Sequence, residues 1–224
     1  MKIGIVAATS GEMEPIRKYL AERIYLKHHQ FRLLTTGVGM MHSTYSLLKH
    51  FSLEKPDLAI QVGIAGGFNP LRHPIGSAVA VHEEFQGDTG VFESEGQWKD
   101  IFDLGLGHPD QIPYAKGCLR NHHERLLDIS GLPRARGFTV NQISTGKGTM
   151  TNMHQRLGPD IESMEGAAFH YVCLQEDIPF IQLRGISNLV GDRDKSRWQI
   201  PAAMETVRFA LFKLIGKIHE NGHP

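Results

Sequence analysis

The sequence predicts an α/β fold in one domain. Short apolar runs rich in β-branched residues alternate with stretches of helical periodicity, an order typical of a sheet covered by helices. The length of 224 residues fits one α/β domain with a substantial core. The chain contains no repeat and no linker-like segment. We therefore expect a single domain that spans residues 1–224.

The chain begins with a predicted strand–turn–helix unit. Residues 3–8 are apolar and β-branched, which indicates a central buried strand. Thr9, Ser10 and Gly11 form a turn that can cap a helix over about residues 12–22. A pair of strands over residues 24–26 and 31–36 follows, and then a helix over residues 40–51.

A glycine-rich segment follows the next predicted strand. Residues 58–62 are a buried strand that ends in Gly63-Ile64-Ala65-Gly66-Gly67. Glycines let the backbone approach a ligand or take a positive φ, and a tight turn would use them equally well. A further strand is expected over residues 75–81. Residues 85–113 show no pattern, and so long a loop in a compact domain is commonly functional or disordered.

The second half predicts further helices and strands. A helix over residues 121–130 and a strand over residues 136–144 lead to a glycine-rich loop over residues 145–149, which lacks the spacing of a P-loop. A short strand over residues 161–164 opens into a helix at Gly166. A buried strand over residues 179–186 follows, and residues 202–219 form a long amphipathic helix.

Composition narrows the class of partner. The chain has 24 basic and 24 acidic residues, so no net field draws it to nucleic acid or anionic lipid. Cys118 and Cys173 show no paired spacing, the start shows no leader pattern, and no apolar run could span a membrane. We expect a soluble cytoplasmic protein with a small-molecule partner.

No cofactor or metal is expected. Gly37-Val38-Gly39 resembles a dinucleotide fingerprint poorly, because His42 stands where the third glycine belongs. The 13 histidines include no HExxH motif and no cysteine partner set. His170, inside a predicted helix, is expected to be packed or on the surface rather than catalytic.

Two polar side chains follow predicted strands in the second half. Glu165 comes after strand 161–164, in the first turn of its helix, where the macrodipole favours the ionised carboxylate. Ser187 and Asn188 enter a loop after strand 179–186. Open α/β sheets bind ligands at the carboxyl ends of neighbouring strands, so this edge is the predicted site.

Four motifs carry a family resemblance. They are the N-terminal MKIGIVAATSGEME, the segment 62–67, Ser163-Met164-Glu165-Gly166-Ala167 and Arg184-Gly185-Ile186-Ser187-Asn188. In this order they resemble the purine nucleoside phosphorylase and nucleosidase superfamily, and ESMEGAAF with SNLVGDRDKSRW is most similar to the futalosine hydrolases. The resemblance covers nearly the whole chain. It implies a three-layer α/β/α domain with a central mixed, partly barrel-like sheet.

The resemblance also implies roles for particular residues. Glu12 would activate the attacking water, although a helix-stabilising acid in a first turn explains it as well. Glu165 would bind the ribose hydroxyls, and Asn188 would hold the leaving purine at N7 and the 6-substituent. A loop-capping Asx turn is the structural alternative for Asn188. Further substrate contacts are expected from Met164, Ile64, Gly66, Gly148, Thr149, Arg193 and Arg197. The arginines could pair with a carboxylate of the substrate, and a solvated loop of alternating charges explains them equally well.

Asn188 marks a departure from the nucleosidases of 6-aminopurines, which carry an aspartate there. A 6-oxopurine protonated at N7 presents one donor and one acceptor, which match the two ends of an amide. The expected activity is hydrolysis of a 6-oxopurine nucleoside, futalosine first, to hypoxanthine and dehypoxanthine futalosine in menaquinone biosynthesis. Glu12 and Ile64 stand where a phosphorylase needs cations and hydroxyls, which disfavours phosphorolysis.

Three alternatives stay open at this point. They are a methylthioadenosine/S-adenosylhomocysteine-type nucleosidase, a purine nucleoside phosphorylase, and a nucleoside-binding or storage protein without turnover. The resemblance also implies a homodimer or a higher homo-oligomer, in which a neighbouring subunit can complete the site.

Overall fold

The computed structural model describes residues 1–22, 29–94, 96–145 and 156–221. Its strands, in chain order, are β1 Lys2–Ala7, β2 Gln30–Thr35, β3 Leu58–Gly67, β4 Ala78–Gln86, β5 Gly90–Phe92, β6 Trp98–Asp100, β7 Leu119–Arg120, β8 Arg134–Thr139, β9 Ile161–Ser163 and β10 Phe180–Leu189. Its α-helices are α1 Ser10–Ala21, α2 Met40–Leu53, α3 Glu124–Ser130, α4 Gly166–Gln175 and α5 Ile200–Asn221. A short 3-10 helix spans Lys195–Arg197.

The central sheet is partly closed into a barrel. Strand β3 pairs with β10 in parallel and with β9 antiparallel, while β10 pairs with β4, β4 with β8, and β8 with β9. These five strands return to their starting point, so they form a ring. β1 and β2 extend the sheet from β3 in parallel register. The predicted mixed, partly barrel-like sheet is confirmed.

Helices cover both faces of the sheet and make the three layers. One core joins β1, β3 and β10 to α1, α3 and α5 through apolar side chains that include Met13, Leu127 and Leu211. The other core packs α2 and α4 on the opposite face, with Leu47 and Phe169 fully buried. The central strands read as continuous apolar runs because both of their faces are buried.

Several predicted boundaries differ from the structure. β3 continues through the glycines to Gly67, and β10 continues to Leu189, so Ser187 and Asn188 lie in a strand and not in a loop. The strand register shifts between Ile186 and Asn188, which indicates a local bulge. The strand predicted at 75–81 begins only at Ala78, after a turn in which Ser77 Oγ donates to the carbonyl of Pro74.

The structure also bears on the predictions for two further strands, β2 and β8. β2 pairs with β1 in parallel, and the strand predicted at 24–26 as a partner of β2 lies outside the described residues. The strand predicted at 136–144 spans Arg134–Thr139. The patternless stretch 85–113 contains the end of β4 and the small β5–β6 hairpin. In the described part of the chain, no helix has the length and apolar character needed to cross a membrane.

Candidate active site

A cavity of about 430 Å³ opens beside the carboxyl ends of β1, β3 and β10. Six of the residues predicted for the site line it: Glu12, Ile64, Gly66, Met164, Glu165 and Asn188. The prediction that the strands before Glu165 and Asn188 are neighbours is wrong, because β3 lies between β9 and β10. β9 has only three residues and runs antiparallel to β3, so the chain after it turns back along the cavity wall.

Glu12 joins the start of α1 to the cavity. Its Oε2 accepts hydrogen bonds from the N–H and Oγ1–H of Thr9 at 3.0 and 2.9 Å, and Thr9 caps the helix in return. Its Oε1 accepts from the backbone N–H of Ile64 at 3.1 Å. The side chain is therefore both the acid of a capping box and a buried carboxylate in the cavity wall. The observed geometry is therefore compatible with both interpretations of Glu12, as a helix-stabilising acid and as the residue that activates the attacking water.

Glu165 is held by Gly39, the N-cap residue of α2, and by Arg184 of β10. Its Oε1 accepts from the backbone N–H of Gly39 at 3.2 Å, and its Oε2 lies 3.6 Å from Nη1 of Arg184. Glu165 is the N-cap of α4 and makes no capping hydrogen bond, so the prediction of a first-turn acid is wrong by one residue. Burial raises the pKa of Glu165, and the charge of Arg184 opposes that rise.

Arg184 is a site residue to which sequence reasoning gave no role. The side chain is 1% exposed, and its Nη1 donates to the carbonyl of Ile64 at 3.3 Å. Within the described residues, Nε and Nη2 have no hydrogen-bond partner. A side chain at Gly63 would place Cβ 2.5 Å from Arg184 Nη1 and 2.8 Å from Glu12 Oε1. Only glycine therefore leaves room for the guanidinium and Glu12 to approach each other.

Asn188 lies in β10 with its amide oriented by its neighbours. Nδ2 donates to the carbonyl of Leu189 at 2.9 Å, and Oδ1 accepts from the hydroxyl of Ser187 at 2.7 Å. A carbonyl oxygen only accepts hydrogen bonds, so the amide nitrogen of Asn188 must face Leu189. This assigns the Nδ2 and Oδ1 positions of the amide. One N–H and one oxygen lone pair of the amide remain for a ligand.

Glu162 is the second residue that sequence reasoning missed. It lines the cavity from β9 and is 7% exposed. Its Oε1 accepts from the backbone N–H of Ser144 at 3.1 Å, and burial raises the pKa of the carboxyl. The only signal in the sequence was an acid inside a short apolar strand.

The two arginines expected to contact substrate do not line the cavity. Arg197 is exposed and pairs with Asp192 at 2.7 Å and with Asp194 at 3.4 Å. The guanidinium of Arg193 lies 5.9 Å from the ring centroid of Trp198. Acids of the same loop therefore neutralise Arg197, while Trp198 and Asp192 themselves line the cavity. The predicted contacts Gly148 and Thr149 lie outside the described residues.

His170 is a core residue. It is fully buried, its Nδ1 lies 3.1 Å from the carbonyl oxygen of Leu119, and burial lowers its pKa to about 3. It packs edge-on against Phe180, with ring centroids 4.7 Å apart. The prediction of a packed histidine is confirmed. Over the ranges that the structure describes, no cluster of three or more His, Cys, Asp or Glu could hold a metal ion.

Known proteins resemble this chain over most of its length. A futalosine hydrolase of Thermus thermophilus is 28% identical over 204 residues, which cover 86% of this chain and 84% of that protein. A futalosine hydrolase of Streptomyces coelicolor is 31% identical over 191 residues, which cover 81% and 77%. The crystal structure of a 5′-methylthioadenosine/S-adenosylhomocysteine nucleosidase from Colwellia psychrerythraea, in complex with adenine, has the same fold. It superposes with a TM-score of 0.80 at 17% identity and covers 97% of this chain and 95% of its own.

A family model describes the whole set of elements that surround the cavity. The model of the phosphorylase superfamily matches residues 2–218, from the first residue of β1 almost to the end of α5. The match includes the segments that carry Glu12, Glu165, Arg184 and Asn188. The chain therefore belongs to the phosphorylase superfamily.

Proposed function

We propose that this protein is a nucleoside N-ribohydrolase that cleaves the N-glycosidic bond of a 6-oxopurine nucleoside. The substrate proposed is futalosine, and the products are hypoxanthine and dehypoxanthine futalosine. The observation that carries the proposal is the grouping of Glu12, Glu165 and Asn188 around one cavity, with Arg184 behind the two acids. The futalosine hydrolases among the relatives support the choice of substrate.

Glu165 acts on the sugar in this mechanism. Bond cleavage develops positive charge on the ribose, and a carboxylate accepts hydrogen bonds from the 2′- and 3′-hydroxyls. Gly39 N–H and Arg184 fix the orientation of the carboxylate from behind. A negative charge held in place before the reaction stabilises the oxocarbenium-like transition state without reorganisation.

Glu12 takes the proton of the attacking water. Its carboxylate is already oriented by Thr9 and by the N–H of Ile64, so little rotamer freedom is lost on reaction. Arg184 has N–H groups with no partner in the described ranges, and these can donate to the oxygen of that water. The water oxygen then attacks the anomeric carbon, the C–N bond breaks, and its electron pair leaves with the base, which takes up a proton from solvent at N7. Glu12 afterwards returns the proton of the water to solvent.

Asn188 receives the leaving base. Its free lone pair accepts from N7–H, and its free N–H donates to O6 of a 6-oxopurine. A 6-aminopurine presents two donors along the same edge after protonation at N7, and an amide satisfies only one of them. This distinction favours futalosine over the 6-amino substrates of the methylthioadenosine-type nucleosidases.

Hydrolysis is favoured over phosphorolysis by the charge of the cavity. Glu12 and Glu165 both line it, and each carboxylate repels a phosphate dianion. Water, in contrast, needs an acceptor for its proton, and Glu12 offers one. We further propose that this reaction takes place in the cytoplasm and belongs to menaquinone biosynthesis.

A second copy of the chain is the proposed partner of α2. Val38, Met41, Tyr45 and Leu48 recur at spacings of three and four residues and are 39–76% exposed, so they form an apolar stripe. Val38 also lines the cavity, so a copy seated on the stripe would border the site. Sedimentation of the wild type and of Met41→Lys tests this: the variant should shift from dimer to monomer, and a wild-type monomer contradicts the proposal.

The activity is tested by following base release with and without phosphate. The purified protein is incubated with futalosine, inosine and methylthioadenosine, and free bases are separated by chromatography. We expect hypoxanthine from futalosine at a rate that phosphate does not change. Phosphate-dependent release would identify a phosphorylase, and no release from any nucleoside would favour a binding protein.

A further inference from the structure

Glu162 is a carboxylate in the cavity wall to which the mechanism above gives no task. It is more than nine-tenths buried and lines the cavity together with Asn188. Ser144 N–H occupies its Oε1, while Oε2 is buried and has no hydrogen-bond partner in the described part of the chain. Buried polar atoms are paired in almost all cases, so an unpaired oxygen in a cavity wall indicates a partner that arrives with a ligand.

The strand register places Glu162 opposite Asn188. Gly66 pairs with Asn188 on one side and with Glu162 on the other. Laterally paired residues direct their side chains to the same face of a sheet, and two strand spacings separate the outer strands by about 10 Å. Gly66 has no side chain, and Cγ2 of Val190 lies 2.9 Å from the position that its Cβ would take, so Val190 covers the glycine. Asn188, Glu162 and Val190 all line the cavity, which thus has an amide and a carboxylate beside an apolar surface.

The side chains of Asn188 and Glu162 are together complementary to one class of base. A 6-oxopurine held by Asn188 at N7 and O6 directs its N1–H away from the amide. A 6-aminopurine has a lone pair at N1 instead. A carboxylate is acceptor-only, so it binds N1–H and repels the N1 lone pair.

We propose that Glu162 is a specificity-determining residue that accepts the N1–H of a 6-oxopurine and rejects a 6-aminopurine. The inference rests on the proposed function, because it requires the base to lie against Asn188. Burial raises the pKa of Glu162, and a hydrogen bond from N1–H would offset that rise by favouring the ionised form. The same desolvation strengthens a hydrogen bond to the carboxylate.

The test compares binding of three free bases by calorimetry: hypoxanthine, 1-methylhypoxanthine and adenine. The methyl group replaces the N1–H and leaves N7 and O6 unchanged. The wild type should prefer hypoxanthine over the other two by roughly ten-fold or more, as expected for a hydrogen bond to a charged group. In Glu162→Val the preference for hypoxanthine over 1-methylhypoxanthine should collapse to within about two-fold. An unchanged preference in that variant would overturn the inference.

The nearly isosteric variant Glu162→Gln is a second test that does not depend on whether Glu162→Val folds. Its amide can donate to N1 of adenine, so the ratio of adenine to hypoxanthine affinity should rise by roughly ten-fold. Equal losses for all three bases, with a lower Tm, would show a structural role and contradict the inference. Glu14→Gln, on the exposed side of α1, is the control and should bind as the wild type does.

Base release separates this inference from the proposed function. A wild type that shows the Glu162-dependent preference but cleaves no nucleoside refutes the hydrolase proposal alone. A wild type that cleaves futalosine while Glu162→Gln and Glu162→Val keep its base preference refutes the inference alone. A wild type that binds no purine base refutes both.

Discussion

Nη1 of Arg184 lies 3.6 Å from Oε2 of Glu165, and both side chains are almost completely buried. A second acid, Glu12, approaches the same guanidinium across Gly63. The cation therefore faces two buried carboxylates, and its removal leaves both charges without compensation.

The first prediction concerns Arg184→Met. Loss of one partner of a buried ion pair costs about 3–5 kcal/mol, so the free energy of unfolding should fall by that amount. Chemical denaturation measures it, with Arg17→Met on the exposed face of α1 as the matched control. Arg184→Lys keeps the charge and should fold, yet it should lose at least about ten-fold in kcat, because one ammonium cannot reproduce the guanidinium fork. Full activity of the lysine variant would exclude a role at the reacting water.

Glu12→Gln separates the capping role from the catalytic role. Glutamine also serves at the third position of a capping box, so the unfolding free energy should change by less than about 1 kcal/mol. An amide cannot take a proton from water, and kcat should fall by ~10²–10⁴. Steady-state kinetics on futalosine and a denaturation curve give both numbers. Near wild-type kcat would eliminate Glu12 as the base.

Glu165→Gln should weaken the transition state more than the ground state. The sugar becomes cationic only during bond cleavage, so kcat should fall by a larger factor than KM rises. A 2′-deoxy substrate should already lose rate with the wild type and lose less on mutation. Equal activity of the wild type on ribo and 2′-deoxy substrates would count against the hydroxyl contacts.

Asn188→Asp should move specificity in opposite directions for two bases. The carboxylate places lone pairs against O6, and mispaired buried groups cost ~1–3 kcal/mol, or roughly one to two decades in kcat/KM for futalosine. Aminofutalosine then meets an acceptor at both positions and should improve. The comparison is kcat/KM for both compounds in both proteins. If both values fall by the same factor, Asn188 is structural.

Glu84 should make stability depend on pH. It is fully buried, accepts from Thr139 and Gln182 at 2.9 Å each, and burial raises its pKa to about 7. A native pKa above the unfolded value means that the native state holds the proton more tightly. The resulting stabilisation is complete below about pH 4.5 and is lost as pH rises through about 7.

The difference between the wild type and Glu84→Gln isolates this contribution. His170, whose pKa is lowered to about 3, acts with the opposite sign, because its share is lost as pH falls. Unfolding free energies measured between pH 4.5 and 8 should show the wild type losing up to about 3 kcal/mol relative to the variant. A difference that stays constant with pH would mean that Glu84 does not titrate there.

Site residues that follow a predicted strand could be predicted from the sequence. Site residues whose side-chain direction depends on strand register could not. Glu165 and Asn188 were predicted because each follows a predicted buried strand, and such ends converge in an α/β sheet. Glu12 was assigned only through the family resemblance. Arg184 and Glu162 lie inside strands, where the side-chain direction depends on pairing partners that periodicity does not reveal. β9 is too short for its position between β3 and β8 to be predicted.

The arginines of the loop 190–198 do not line the cavity, which agrees with the alternative of a solvated loop of alternating charges. Arg197 pairs with Asp192 and Asp194 of the same loop. A count of positive charges therefore gave no information about which of them remain available.

The capping box at Thr9 and Glu12 has a consequence for how the protein loses activity. The carboxylate that faces the cavity is also the group that fastens the first turn of α1. Fraying of that turn releases the carboxylate from its position beside Ile64, while the ring of strands stays intact. Partial thermal inactivation should thus precede the cooperative melt, and amide exchange at the start of α1 should follow the same time course as the loss of turnover.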